Sequence, residues 1–508
     1  MQRTDGLVSR LPLHPLLFAA YPIVRLYGEN MVEVELGEVV MPLLVVVGAT
    51  ALGLVALSIL LRDSRRAAIV TSAVVLPVML FGLVLEVAQP LLGDERIFLL
   101  LIVIAVIAAA VLVALRAGPR LGSITLALNV ISLVLVLVAV IPATQGVAAV
   151  LQKDGDRTSR RSVSSADDPA PSRDIYHIVV DRYGSEQALQ AGFGIDNAEF
   201  VTWLRDNGFD VIDDARANYA KTTLSLASTL GMSLLDDIAA AQGPDSENLA
   251  PVVRRIKRSR AGAFLQDLGY EYIHIGSWFR QTRDSGIADR TFVPVAEVSL
   301  ASTLYDLSVL PVLANQDKPA DTFARKHADT AEFQFDLLDD LADDPGPKYV
   351  FAHILLPHPP YVFLEDGTYA PDDATFETQL VDTNRRLRAF FEPLLSLPEE
   401  ERPIIILQAD EGPFPERLAA DERAFEWADA TDEELVTKFG ILSAMYLPGP
   451  EGVAALPSGM TAVNTYPELF RRYFASDIEN LPDRILASSK VKPYDLLDVT
   501  ERVEAAME

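Results

Sequence analysis

Long apolar runs in the first 150 residues constrain the fold of this 508-residue chain more than any other feature. Half of all residues are hydrophobic, and the excess is concentrated in this N-terminal part. Four runs are each about long enough to cross a bilayer as a helix: residues 41–61, 67–92, 97–115 and 124–141. Residues 11–27 form a weaker run. We predict a fifth, retained span there rather than a cleaved signal peptide, because the run lacks a small-residue cleavage site.

Arginines between these runs predict the orientation of the chain. Arg62, Arg65 and Arg66 follow the second predicted span, and Arg116 and Arg120 follow the fourth. Loops rich in arginine face the cytoplasm. Residues 1–147 are therefore expected to form a multi-pass α-helical membrane domain of about five helices, in a bacterial cell membrane. Everything after residue 145 would then lie outside the cytoplasm.

The rest of the chain differs sharply in composition. Residues 148–173 are charged, rich in serine and proline and poor in large apolar side chains, which predicts a flexible linker. The whole chain has a net charge of −28, whereas residues 174–508 carry −29. So acidic a domain repels nucleic acid, which excludes that class of partner. The chain has no cysteine, which excludes disulfides, thiolate metal ligands and cysteine nucleophiles.

Residues 174–508 alternate between apolar strands and amphipathic helices. The segments 174–181, 270–278, 348–357 and 403–410 are typical of strands in a mostly parallel sheet, and 329–340 and 382–395 are typical of helices between them. This pattern predicts an α/β domain with helices on both faces of one sheet. In such sheets ligands bind beyond the carboxyl ends of the strands.

Polar or aromatic residues stand at the ends of several predicted strands. Each of them alone has a structural explanation, such as capping a turn, packing in a loop or filling the core. Together on one sheet edge they predict a ligand site. They are Asp181, Trp278, His358, Asp410 and Glu411.

Two further features indicate that this site binds charged groups. Asp410 and Glu411 are adjacent at the end of a buried strand, where two carboxylates repel each other unless something positive lies between them. In "NYAKTTLSLASTLGM" (218–232), Thr222 or Thr223 stands at a predicted helix start. The positive end of a helix dipole favours an alkoxide or a phosphate there. An ordinary threonine cap is the commoner use of this pattern.

Six segments, in this order, resemble the membrane-anchored sulfatase-like proteins of the alkaline phosphatase superfamily, which are related to lipoteichoic acid synthases. They are "DIYHIVVDRYG", "NYAKTTLSLASTLGM", "GSWFRQTRD", "ILLPHPPYVF", "ILQADEGP" and "AVNTYPELFRRYF". The resemblance covers roughly residues 174 to 480. It implies an alkaline-phosphatase-like α/β/α sandwich for residues 174–508.

The resemblance also implies roles for individual residues. One divalent metal ion, Mn²⁺ or Mg²⁺, would be held by Asp181, Thr222, Asp410 and Glu411, and Thr222 would be the nucleophile that takes a phosphoryl group. The ion would be the positive group between the two adjacent carboxylates. Substrate contacts would come from His358, Trp278 and Arg280.

Two positions depart from the family pattern. Arg182 occupies a place that is commonly glycine, and Glu411 one that is commonly histidine. Sulfatases further need a cysteine- or serine-derived formylglycine, usually followed by Pro-x-Arg. The chain has no cysteine, and no Pro-x-Arg follows "TTLSLAS". A phosphorus ester is therefore the expected substrate class.

The sequence thus predicts a metal-dependent phosphotransferase or phosphodiesterase, bound to the membrane and acting on an envelope phospholipid, glycolipid or polymer. A phosphoethanolamine-type transferase is an alternative with the same layout. Those enzymes usually carry disulfides in the outer domain, so the lack of cysteine counts against it. The non-enzyme alternative is an envelope scaffold that keeps the fold and has lost the activity.

Overall fold

The computed structural model describes residues 11–29, 36–81, 96–151, 173–294, 304–305, 307–310, 319–449 and 455–508. The chain divides into two compact units. The first comprises residues 1–161 and 297–319, and the second comprises residues 162–296 and 320–508.

The first unit is helical. Two of its helices are both long and apolar enough to cross a membrane among the residues described, 39–61 and 121–140, and residues 100–116 form a shorter apolar helix. The first two match the predicted spans 41–61 and 124–141, and the shorter helix coincides with 97–115, whose crossing of the membrane stays a prediction. Residues 82–92 of the predicted span 67–92 lie outside the described residues, and the count of five spans stays a prediction. The helices are α1 (His14–Glu29), α2 (Leu36–Leu61), α3 (Ser64–Met79), α4 (Arg96–Arg116) and α5 (Leu121–Leu151).

Polar contacts attach α1 to two other helices of the first unit. The side-chain oxygen of Asn129 in α5 accepts hydrogen bonds from the backbone nitrogens of Leu13 and His14, at 3.0 and 2.8 Å. These are donors that the start of a helix leaves unpaired. The ring nitrogen Nδ1 of His14 lies 2.6 Å from the hydroxyl of Ser72 in α3. The predicted weak span 11–27 is thus a helix packed within this unit.

The boundaries of the units differ from the predicted domain limits in two places. Residues 148–151, predicted as the start of the linker, are the last turn of α5, and residues 152–172 lie outside the described residues. Residues 304–310, predicted as part of the outer domain, group with the first unit. Leu304 packs with Ile23 and Val39, and the backbone nitrogen of Val309 donates to the carbonyl of Val78 at 2.9 Å.

The second unit is built on a seven-stranded mixed sheet with the order β2-β7-β6-β1-β5-β3-β4. All pairs are parallel except β2 with β7 and β7 with β6. A second, two-stranded sheet pairs β8 with β9. The strands are β1 (Ile175–Val180), β2 (Phe209–Val211), β3 (Glu271–Ile275), β4 (Arg290–Phe292), β5 (Lys348–Ile354), β6 (Ile404–Ala409), β7 (Ser443–Tyr446), β8 (Leu486–Ala487) and β9 (Leu497–Asp498).

The sheet confirms the predicted α/β class. Each of the four predicted strands contains an observed one, and the two predicted helices lie inside α12 and α13. Every residue of β1, β5 and β6 is buried, which explains why these strands are almost continuously apolar. The remaining helices are α6 (Glu186–Phe193), α7 (Ala198–Asp206), α8 (Thr222–Gly231), α9 (Asp236–Gln242), α10 (Ala250–Lys257), α11 (Arg260–Asp267), α12 (Pro319–Ala342), α13 (Phe376–Leu395), α14 (Glu416–Ala420), α15 (Asp432–Phe439), α16 (Thr465–Phe474) and α17 (Thr500–Met507).

Candidate metal centre

Asp181 follows the central strand β1, which lies between β5 and β6 in the sheet. Its backbone nitrogen still donates to the carbonyl of Ile354, at 3.0 Å. The next residue, Arg182, has a φ of 62°, so the chain turns sharply away from the sheet. Asp181 is therefore fixed at the strand end with only 1% of its surface exposed.

Asp410 occupies the equivalent place after the neighbouring strand β6 and is equally buried. Its carboxylate oxygen Oδ1 accepts from the backbone nitrogen of Arg182 at 3.3 Å. The hydroxyl of Ser225 in α8 donates to its backbone carbonyl at 2.6 Å. These bonds connect β6 to the turn after β1 and to the first turns of α8.

His353 is the third member of the site and was not among the predicted site residues. It lies on β5 in register with Val179, fully buried. Its ring nitrogen Nε2 is 3.6 Å from the Asp181 oxygen Oδ2. The other ring nitrogen, Nδ1, is 2.8 Å from the hydroxyl of Thr282. A histidine inside the otherwise apolar "YVFAHILL" was the available signal.

These three residues form a group suited to a metal ion. One ligand atom from each of Asp181, His353 and Asp410 lies within 4.8 Å of the others. Three buried atoms, Asp181 Oδ1, His353 Nε2 and Asp410 Oδ2, have no hydrogen-bond partner. Unpaired buried polar atoms are costly, so their convergence favours a bound cation. Two carboxylates and one imidazole suit Mn²⁺, Zn²⁺ or another divalent ion.

Burial shifts the pKa values of all three residues in the direction that favours the uncharged form. Burial raises the pKa of Asp181 well above its usual value, and the nearby Asp410 adds to the effect. Burial and the charge of Glu411 raise the pKa of Asp410 to about 7. Burial lowers the pKa of His353 to about 3, so the imidazole is neutral and able to act as a ligand. A divalent cation would stabilise the ionised carboxylates.

Glu411 has cationic partners of its own. Its oxygen Oε1 lies 3.0 Å from the Lys438 ammonium and 3.3 Å from Nε of Arg182, while Oε2 has no hydrogen-bond partner. Lys438 is fully buried and also donates to the carbonyl of Gly412 at 3.0 Å. Glu411 is not in the three-residue group. Among the residues described, Lys438 and Arg182 are therefore the cations in contact with Glu411, and Lys221 is a further cation close enough to interact with it.

Thr222 is the first residue of α8 and lies next to the centre. Its side chain interacts with the Asp410 carboxylate and lowers the pKa of that group against the larger effect of burial. Lys221 precedes it at the cap position, with no side-chain capping bond. Thr222 is therefore not the capping residue of the helix, and its side chain is directed at the centre. Thr223, the alternative, is one position further on and is 8% exposed.

The predicted substrate residues Trp278 and His358 lie together. Their rings are 5.9 Å apart in an edge-on arrangement, and the Trp278 indole nitrogen donates to His327 Nδ1 at 2.8 Å. The neighbouring Phe279 ring is 5.8 Å from that of His353, so this aromatic cluster borders the centre. Arg280 begins the short 3-10 helix 280–282, whose Thr282 holds His353.

No protein-family model and no curated protein sequence matches the chain. Several solved structures are similar to it. The C-terminal periplasmic domain of EcEptC from Escherichia coli is 10% identical, with a TM-score of 0.40, and the match covers 65% of this chain and 93% of that one. The soluble domain of lipooligosaccharide phosphoethanolamine transferase A from Neisseria meningitidis is 13% identical, with a TM-score of 0.37, over 64% and 94%.

A further similar structure is that of a protein in the alkaline phosphatase superfamily from Vibrio parahaemolyticus. It is 11% identical, with a TM-score of 0.38, over 64% of this chain and 75% of that one. Sulfatases are also among the similar structures.

Proposed function

We propose that this chain is a metal-dependent phosphotransferase or phosphodiesterase, attached to the membrane and acting on an envelope phospholipid, glycolipid or polymer. One observation carries the proposal. Three unpaired buried ligand atoms, from Asp181, His353 and Asp410, converge beside the hydroxyl of Thr222. A buried scaffold core gains nothing from such an arrangement, because each unpaired atom costs stability.

In this proposal His353, rather than the predicted Glu411, joins Asp181 and Asp410 in holding the ion, with Thr222 completing the set. The bound ion would lower the pKa of the Thr222 hydroxyl and stabilise charge on the phosphoryl oxygens. The Thr222 oxygen would bond to phosphorus as the bond to the substrate's leaving alcohol breaks, and that alcohol would depart with the proton. A second alcohol, or water, would then take the group from Thr222.

The charges around the centre favour a phosphodiester over a phosphomonoester. Three carboxylates, from Asp181, Asp410 and Glu411, lie with the two cations Arg182 and Lys438, which leaves one net negative charge. Lys221 is also near Glu411, but it is paired with Glu422 and does not change this balance. Burial keeps the imidazoles neutral, since it lowers the pKa of His353 to about 3 and, together with Arg182, that of His358 to about 2. A divalent ion converts the balance to one positive charge. A singly charged diester neutralises it, whereas a doubly charged monoester does not.

A trapped intermediate tests this proposal. The full-length protein, purified in detergent with Mn²⁺, would be incubated with phosphatidylglycerol or phosphatidylethanolamine vesicles, quenched in acid and digested. Mass spectrometry should find a phosphoester adduct on the peptide that contains Thr222, dependent on Mn²⁺ and missing in Thr222→Ala. Thr223→Ala is the matched control and should keep the adduct. An adduct on Thr223 would move the nucleophile by one residue.

Failure to form any adduct, with no change in envelope lipids between cells with and without the gene, would contradict the enzymatic function. The chain would then be an inactive scaffold.

A further inference from the structure

The two residues that depart from the family pattern, Arg182 and Glu411, contact each other. They are 229 positions apart in the chain, and yet Nε of Arg182 lies 3.3 Å from Oε1 of Glu411. Glu411 is 2% exposed, whereas the Arg182 side chain is 18% exposed. The pair therefore connects a buried carboxylate to a guanidinium that reaches the edge of the buried site.

Glu411 does not need Arg182 for neutralisation. The ammonium of Lys438 is already 3.0 Å from the same oxygen, and Lys438 is fully buried. The three side chains together carry one surplus positive charge. Because Lys438 has no exposed surface, Arg182 is the member of the three through which this charge can act on a ligand.

The guanidinium of Arg182 is held in a fixed orientation. Its central carbon is 3.5 Å from the centre of the Phe414 ring, a close cation–π contact. Its backbone has a φ of 62°, and its backbone nitrogen donates to Asp410. Among the described residues, Nε of Arg182 donates to Glu411, and the face of the guanidinium packs against the Phe414 ring. The two terminal nitrogens, which form the fork of donors, make no hydrogen bond within the described part of the chain.

The charge of Arg182 reaches the residues on the substrate side of the centre. Burial is the largest cause of the lowered pKa of His358, and the charge of Arg182 is the second largest. Burial raises the pKa of Tyr361, and the charge of Arg182 lowers it in part. His358 packs against Trp278. The guanidinium is therefore close enough to this aromatic cluster for its charge to act there.

We infer that Arg182 and Glu411 act as one anion-binding unit, in which the carboxylate orients the guanidinium and the guanidinium binds non-bridging oxygens of the substrate's phosphate. A planar guanidinium donates two parallel hydrogen bonds to such oxygens, which the compact ammonium of a lysine does not reproduce. This inference rests on the proposed function and deepens it. It assigns Arg182 to substrate binding and Glu411 to positioning.

Inorganic phosphate at about pH 6, where it carries mostly one negative charge, is the probe that tests the inference. Its binding to the full-length protein in detergent would be measured by calorimetry, with and without Mn²⁺, for wild type, Arg182→Gln, Arg182→Lys and Glu411→Gln. Arg205→Gln is the matched control, because Arg205 is also ion-paired, to Asp213, but on the exposed surface. Manganese binding would be titrated for each protein in parallel.

Arg182→Gln should weaken phosphate binding by at least about tenfold, the loss expected for charge-assisted hydrogen bonds, and leave manganese binding unchanged. Arg182→Lys should recover only part of this loss. Glu411→Gln should keep manganese and weaken phosphate binding by a smaller factor, since the guanidinium remains but is less fixed. Arg205→Gln should match wild type.

Three results would overturn the inference. Phosphate binding could be unchanged in Arg182→Gln. Arg182→Gln could lose manganese together with phosphate, which would make Arg182 a support of the metal ligands. Glu411→Gln could lose manganese, which would make Glu411 a ligand. Failure of the proposed function looks different: wild type would bind no manganese, while Arg182 could still account for phosphate binding to the metal-free protein.

Discussion

Removal of the metal should make the stability of this protein fall as the pH rises. Burial and the charge of Glu411 raise the pKa of Asp410 in the folded chain from 3.8 to about 7. Between these two values the folded state holds a proton that the unfolded chain releases. The contribution of this proton to the free energy of unfolding therefore decreases as the pH rises from 3.8, and it is fully lost above about pH 7. The raised pKa of Asp181 acts in the same sense.

The size of the effect follows from the pKa shift. Between pH 5 and pH 7.5, Asp410 titrates over about two pH units, and at 1.36 kcal/mol per unit the metal-free protein loses about 3 kcal/mol. Buried histidines contribute with the opposite sign below pH 6.5, because they are neutral in the folded state. These are His177, His274, His327, His353 and His358. Their contribution cancels when wild type is compared with Asp410→Asn.

The assay is thermal unfolding of the full-length protein in detergent with a chelator, at pH 5 and pH 7.5. Wild type should lose about 3 kcal/mol of stability relative to Asp410→Asn between the two pH values. Added Mn²⁺ should abolish the difference for wild type, since the ion keeps Asp410 ionised. Asp214→Asn is the control: its pKa is lowered, so it is ionised in both states over this range and should not change the pH dependence. Equal pH dependence in chelated wild type and Asp410→Asn would refute the reasoning.

Further substitutions test the groups around the centre. Lys438→Met should destabilise the fold by about 1.5–3 kcal/mol, because it removes the buried partner of Glu411 and leaves only the partly exposed Arg182, and adding Glu411→Gln should recover much of this in denaturant titrations. Thr222→Ala should abolish turnover at a cost of only about 1 kcal/mol in stability, the usual loss for one side-chain polar contact, as measured by activity and unfolding together. Thr282→Val should weaken Mn²⁺ binding by about 10–100-fold, because Thr282 fixes which nitrogen of His353 faces the metal, and Thr282→Ser should restore it. An unchanged metal affinity in Thr282→Val would remove Thr282 from this role.

The fold of the second unit could be predicted largely because its strands are buried on both faces. Continuous apolar runs such as 404–407 have few alternatives to a central strand. The antiparallel strand β7 (Ser443–Tyr446) was not predicted, since a strand of four residues is too short to show a periodic pattern. The grouping of residues 304–310 with the first unit depends on contacts distant in sequence, which no local pattern shows.

The site was predicted in part for a related reason. Asp181 and Asp410 stand directly after strands, where sheet geometry brings neighbouring ends together. His353 lies inside its strand, and only the register with β1 shows that it faces Asp181. Lys438 is the last but one residue of α15 and resembles an ordinary charged helix end. Its full burial against Glu411 becomes visible only when the helix is packed.

The manganese content of the full-length protein tests the central claim most directly. Wild type, dialysed after loading and analysed for metal per chain, should retain one ion. Asp181→Asn, His353→Gln and Asp410→Asn should retain none, while His177→Gln, which alters an equally buried histidine on the neighbouring strand, should retain it with an unchanged circular dichroism spectrum. No ion in wild type, or a full ion in His353→Gln, would contradict the account.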